Sequence, residues 1–385
     1  MLFPDLYQRI QAGIFKTTQL LGISGLEKTR NIAIHGVRSA MGDVKTIFIE
    51  DDYHIIYDEG YGLSVHGFVD ACIASSNPRH AIQYQCDSLL LQHLYIRGNV
   101  LGAAFFAKRM ARIVPKLKDT PKEIAIKIEE YIVGQIIFSI CHEFVHVFLN
   151  YYNDEDRKQN WIGNIARVFN KDLLKIDDYI NKWIDFERTA DGAEIKKKIL
   201  IYKKELQANS YCHEETLCDV LGLIIFAVTY FNEWDMAPEK AIVIGINGLN
   251  NLVLMQTLHS FIDHCDSITT TLFNNDDKVN YSSPAFNNSN MLRTMTRRDT
   301  CIRAIRNAAI LFDLNITTEL INSLLAEFDE RVFKPVTIEY FKDVESAIAD
   351  LRSKAGLQER RDSWNEHREE IERLILFMLE HCGNF

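Results

Sequence analysis

Residues 120–150 read TPKEIAIKIEEYIVGQIIFSICHEFVHVFLN, and the reading of this stretch decides the fold. Thr120-Pro121-Lys122-Glu123 fits a capping box with proline at the first helical position. The threonine hydroxyl can accept from a free backbone N–H, and the glutamate can reach back to the cap. Apolar residues then recur at Ile124, Ile126, Ile128, Tyr131, Ile132, Ile136 and Ile140. One long buried helix is expected, ending near Asn150, a residue tolerated at a helix C-terminus. A second strongly apolar helix is expected over residues 212–231. The best β signal lies upstream: TIFIE at 46–50 and YHIIY at 53–57 flank Asp51-Asp52 and can form a hairpin, with Gly60, Gly62 and Gly67 punctuating the stretch after it. The pattern is that of a mainly α chain (α+β) with a small β-sheet.

Working outward, residues 1–40 read as partly helical and amphipathic, and most segments from His66 onward read as helix. Residues 99–106 (NVLGAAFF) fit strand and helix equally. The polar stretch 153–160 reads as a loop, 171–205 as charged helix, and 274–290 (NNDDKVNYSSPAFNNSN) as the longest loop. Residues 314–382 read as helical again, closing on a charged amphipathic stretch over 360–379. A boundary near Asp313 divides residues 1–313, with the β-containing part at their N-terminal end, from a C-terminal helical subdomain or final helical layer at 314–385.

Of the 385 residues, 47% are hydrophobic and 25% charged, enough to build a sizeable core and too apolar for extensive disorder. The net charge of -10 argues against a nucleic-acid partner, since phosphate binding draws on a surplus of Lys and Arg. Residues 131–149 are apolar but include Gln135, His142, Glu143 and His146, and residues 220–231 are only about half the ~20 residues that a spanning helix needs. No membrane segment is therefore expected. MLFPDLYQRI at the start lacks the charge and apolar pattern of a secretory signal. The eight cysteines are scattered without a CxxC pair, which suits free thiols in a reducing, cytoplasmic setting.

Within the long helix, residues 142–146 read His-Glu-Phe-Val-His. Helical residues four apart share a face, so His142 and His146 can meet one ion, and Glu143 can reach a water held by it. Zinc lowers the pKa of such a water to about 7, and Glu143 is then the general base for attack on a carbonyl. With 12 histidines in the chain, this pattern should arise by chance only about 0.02 to 0.03 times. Burying the three groups without partners would be costly, so the competing reading is a hydrogen-bonded core cluster.

A catalytic zinc site needs a third protein ligand and an open fourth position. A histidine six residues beyond His146 would supply it, but that position is Tyr152. The better candidate lies in His213-Glu214-Glu215-Thr216-Leu217-Cys218-Asp219, where Glu215 and Asp219 share a helical face. Glu215 would ligate, and Asp219 would accept the second N–H of a ligand histidine. Glu214, His213 and Asp219 remain open as alternative ligands, while Cys141 and Cys218 read as small buried apolar residues.

These residues resemble the gluzincin pattern, HExxH followed at a distance by ExxxD, over roughly residues 120–231. The resemblance implies a zincin-like metallopeptidase domain, Zn2+ held by His142, His146 and Glu215, and catalysis by Glu143. Within that group the chain is similar to bacterial phage-exclusion peptidases, with Ser283-Pro284 and the later Arg297 and Arg298 echoing a turn and arginine found there. An oxyanion stabiliser is also expected. His259, His264, Tyr281, Arg297 and Arg298 are candidates by position alone. The expected partner is a peptide or a specific intracellular protein substrate, with scope for a regulatory or activating partner. Two other readings stay open. Glu143-x-x-His146 is half of a di-iron signature, but the chain has no second Glu-x-x-His. A non-catalytic helical interaction protein could carry a structural or degenerate zinc site, closed by Cys212 or His213.

Overall fold

In the computed structural model, residues 4–20, 32–37, 44–50, 52–73, 77–112, 122–152, 154–175, 192–273, 288–311, 316–350 and 354–383 are described. The chain opens with α1 (Pro4–Leu20) and three strands, β1 (Ile32–Val37), β2 (Val44–Ile49) and β3 (Asp52–Asp58). Helices α2 (Glu59–Ile73), α3 (Pro78–Ile96) and α4 (Val100–Arg112) come after them, then α5 (Lys122–Tyr151) and α6 (Glu155–Lys175). Next are α7 (Gly192–Gln207), α8 (Ser210–Trp234), α9 (Pro238–Phe273) and α10 (Asn288–Leu311). The last part holds α11 (Thr318–Phe328), two π-helical turns, α12 (Phe341–Ala349) and α13 (Lys354–Gly383). The described residues are thus mainly helical, with one three-stranded sheet.

β2 and β3 form the antiparallel pair expected, in the register Thr46 opposite Ile55 and Phe48 opposite Tyr53. Glu50 makes the tight turn between them at φ 52°, in the left-handed region. β1 lies where helical character was expected. It pairs parallel to β3, giving the order β1-β3-β2. IAIHGV is short and carries a glycine, so its strand character comes from a pairing partner distant in sequence. The ambiguous stretch 99–106 is helical from Val100 onward, within α4. The polar run from Glu155 is the first turn of α6 and not a loop, with Glu155 and Asp156 favourably placed at its positive end. The capping box at Thr120 and Pro121, and residues 274–287, lie outside the described residues.

α5 is the axis of the molecule. It packs against α2, α8, α9 and the sheet strands β2 and β3. Ile137, Ile140, Cys141, Val145 and Val147 are fully buried along it. Among the described residues two stretches, Glu129–Asn150 and Glu239–Thr270, are long and apolar enough to cross a membrane, but 83% and 72% of their most apolar windows are buried inside the structure. Core packing accounts for their composition. Phe333, Val336, Ile348 and Ile371, from the C-terminal part, join the same buried cluster. The π-helical turns flank Pro335, whose missing N–H breaks the ordinary helical ladder while the chain continues as a helix.

α8 approaches α5 with its backbone. A Cβ built on Gly222 would lie 2.9 Å from the His142 Cα and 3.0 Å from its nitrogen, so only glycine allows this crossing. Gly222→Ala is expected to push the helices apart at the motif, costing about 1–3 kcal/mol. Denaturant unfolding measures this cost. Unchanged stability together with unchanged zinc binding would contradict the close crossing.

Candidate metal centre

The crossing places the buried faces of α5 and α8 against one another. His142 and His146 are four residues apart on α5, their rings 5.1 Å apart between centroids. α8 is capped by Asn209, whose side chain accepts from the Cys212 N–H at 3.1 Å. Its second turn then presents Glu215. Glu215 Oε1 lies 3.2 Å from His146 Nε2, and Oε2 lies 3.6 Å from His142 Nε2. One ligand atom from each of the three residues lies within 4.8 Å of the others. Zinc bonds of about 2.0–2.1 Å in a tetrahedron put donors roughly 3.4 Å apart, so this set fits a metal ion with small adjustment. Two neutral imidazoles and a carboxylate are the donor types that zinc accepts.

The surroundings separate the alternatives for the third ligand. Asp219 is fully buried, with Oδ1 3.0 Å from His142 Nδ1, on the side of the ring away from Glu215. Glu214 approaches His146 only at Nδ1, at 3.9 Å. His213 packs its ring edge-on against Phe169, on another face of α8. Glu215 alone among these puts oxygens against both Nε2 atoms. The Cys218 thiol lies 3.5 Å from His146 Nδ1, so the residue read as merely apolar sits against a motif histidine.

Arg297, on α10, supplies the positive charge beneath the site. Its Nε donates to Asp219 Oδ2 at 2.8 Å and one Nη to Oδ1 at 3.0 Å, while the same Nη lies 3.2 Å from Glu215 Oε2. At 3% exposure it is sealed under the carboxylates and cannot face a substrate carbonyl. Arg298 instead pairs with Asp329, and His264 lies 3.9 Å from Glu345. Of the five residues suggested as oxyanion stabilisers, His259 lines the cleft beside the motif, and Tyr281 lies outside the described residues. The counter-ion role of Arg297 had one sequence signal, the carboxylates Glu215 and Asp219 on one face of a helix that is apolar immediately afterwards, which require a buried cation.

Thr46 of β2 completes the geometry. Its hydroxyl lies 3.0 Å from Glu143 Oε2 and 3.1 Å from the Glu143 carbonyl oxygen, tying the sheet to the motif. A cleft of about 680 Å³ opens there, walled by β2, by α5 and by Leu252, Met255 and His259 of α9. Phe48, 57% exposed, and Tyr53 meet at its edge with ring centroids 4.8 Å apart and planes tilted by 46°.

The ionisation pattern results from burial and these contacts. Burial disfavours charge on both histidines, yet the adjacent Asp219 and Glu215 carboxylates raise His142 to about 9. Cys218, Glu214 and Glu215 raise His146 as well. Burial likewise opposes the charge on Glu215, but both histidines and Arg297 hold it far below the usual carboxylate range. Burial makes Glu143 more basic, partly offset by the nearby histidines and Thr46. Comparison with protein-family models, curated proteins and solved structures gives no match.

Arg297→Met should leave Glu215 and Asp219 buried without their cation. It is expected to destabilise the fold by about 3–5 kcal/mol and to weaken metal binding about 10–100-fold. Competition with a chromophoric chelator reads the second effect, and zinc binding as tight as wild type would remove the clamp from the account. The raised His142 pKa gives a pH dependence. In the metal-free chain the protonated ring adds stability below its ordinary pKa of 6.5, and that contribution is lost as pH rises through about 9. Metal must displace the same proton, so zinc affinity should climb over this window. A pH-independent zinc affinity from pH 6.5 to 9 would contradict the assignment.

Proposed function

We propose that this chain is a soluble, cytoplasmic zinc-dependent endopeptidase of zincin-like fold, with His142, His146 and Glu215 as ligands. The observation that carries the reading is the placement of Glu143. It lines the open cleft beside the three donors, held by Thr46 and left outside the donor set. A closed structural site would have no use for a basic carboxylate beside it and facing the cleft. Bound zinc would supply Lewis acidity, polarising a carbonyl and making water a competent nucleophile near neutral pH.

The chain's own groups then have distinct tasks. Glu143 accepts the proton of the attacking water and returns it to the leaving amine, and its raised pKa suits it to both transfers. Thr46 restricts the carboxylate to one rotamer facing the cleft. Asp219 and Arg297 fix the direction of His142 and Glu215. His259, whose ring stands edge-on to His93 with centroids 5.3 Å apart, is the group placed to donate to a developing oxyanion. The cleft, edged by β2 and the Phe48–Tyr53 pair, has room for an extended peptide. We assign the substrate as a peptide segment of an intracellular protein.

Glu143→Gln separates this reading from a structural site. The amide preserves shape and Thr46 contact but cannot take the proton. Zinc content and melting temperature should stay at wild-type values, while cleavage of a peptide library, read as new termini by mass spectrometry, should fall at least about 10²-fold. Equal cleavage by Glu143→Gln would defeat the mechanism, and no cleavage by the zinc-loaded wild type would leave a non-catalytic metal site.

A further inference from the structure

Two arginines flank one phenylalanine at the seam between α4 and α13, and they are provided for very differently. The Arg109 guanidinium carbon lies 5.8 Å from the Phe105 ring centroid, and that of Arg360 lies 5.1 Å from it. Arg109 donates through Nε to Asp87 at 3.1 Å and through an Nη to Asp343 at 2.8 Å. Arg360 is 7% exposed, and its Nε and one Nη have no acceptor among the described residues. The nearest acid in sequence, Glu359, is engaged 2.7 Å from Lys108, on the solvent side. Burial lowers the Arg360 pKa to about 10, so it is still a cation at neutral pH. An aromatic face offsets part of the lost hydration, but it accepts no N–H bonds. Three residues further along the same face of α13, Ser363 is 1% exposed, and its hydroxyl is also without a partner among the described residues.

A desolvated guanidinium fork beside a desolvated hydroxyl is matched by an anion with several acceptor oxygens. We propose that Arg360 and Ser363 form a binding site for a phosphate-type oxyanion, which fastens α13 to α4. The oxyanion can be free phosphate or the phosphate of a nucleotide, and the two sources differ in what surrounds the shared group.

Thermal melting of the full chain tests the site, with inorganic phosphate or ADP added against chloride at constant ionic strength. Wild type should melt about 2–4 °C higher at saturating phosphate. Arg360→Met should lose the response while melting in chloride no lower than wild type, since an unpaired buried charge has been removed. Ser363→Ala should require several-fold more phosphate. Equal affinities for phosphate and ADP identify the free ion as the ligand, and an ADP affinity at least tenfold higher identifies a nucleotide. Either result upholds the site. It is overturned if wild type responds to neither, or if Arg360→Met responds as wild type does, which would place the anion at the metal centre. Should Arg360→Met fail to fold, calorimetric phosphate titration of Arg360→Lys replaces it. Weaker binding through loss of the fork supports the site, and unchanged binding overturns it.

Discussion

The backbone contact between α5 and α8 at Gly222 is the constraint on which the rest of the structure depends. Helices separated by ordinary side chains stand 8–10 Å apart, and a glycine at the crossing point removes the side chain that would otherwise hold the two backbones apart. Gly222 removes the one Cβ that would strike His142. Seven residues earlier on the same helix, two turns away, Glu215 then reaches both Nε2 atoms. The apolar faces around the crossing, including Cys141, Val145, Leu223 and Phe226, are buried and hold the separation fixed.

That packing creates an electrostatic problem. Glu143, Glu215 and Asp219 are brought together in or beside an apolar core, with Arg297 as the cation that touches two of them. With neutral imidazoles, one guanidinium faces Glu143, Glu215 and Asp219, with Glu214 beside His146, and the net negative charge is of the sign that a metal cation offsets. Without such an ion the same deficit appears as raised histidine pKa values. The proposed metal, the pH dependence and the buried arginine are therefore three expressions of one charge count. At the α4–α13 seam the imbalance has the opposite sign, with Arg109 paired twice and Arg360 without a hydrogen-bond acceptor for two of its nitrogens among the described residues.

The parts legible in the sequence were those carried by local pattern. The long helix, the second apolar helix, the β2–β3 hairpin and the grouping of His142, His146 and Glu215 all arise from spacings within a few turns or from a recurring pair of motifs. What escaped depends on contacts between distant segments. β1 is a strand because β3 lies beside it. Thr46 is one ordinary strand residue until the sheet rests on α5. Gly222 reads as a mild helix weakness, and its purpose is visible only in the 2.9 Å approach to His142. Arg297 could be placed near the site in sequence terms, yet its burial beneath Asp219, rather than in the cleft, is set by how α10 packs on α8. Cys218 was read from composition as a small apolar residue, although its position one residue before Asp219 put it beside the ligand face.

The central claim is that α5 and α8 jointly hold one metal ion through His142, His146 and Glu215. Elemental mass spectrometry of purified wild type and of Glu215→Ala tests it most directly. The account predicts about one zinc per wild-type chain and little or none in Glu215→Ala, at a fold content unchanged by circular dichroism. Full zinc retention in Glu215→Ala would contradict the ligand set. A wild type that stays metal-free after zinc is supplied would contradict the metal centre itself, leaving the cluster as a buried ion network.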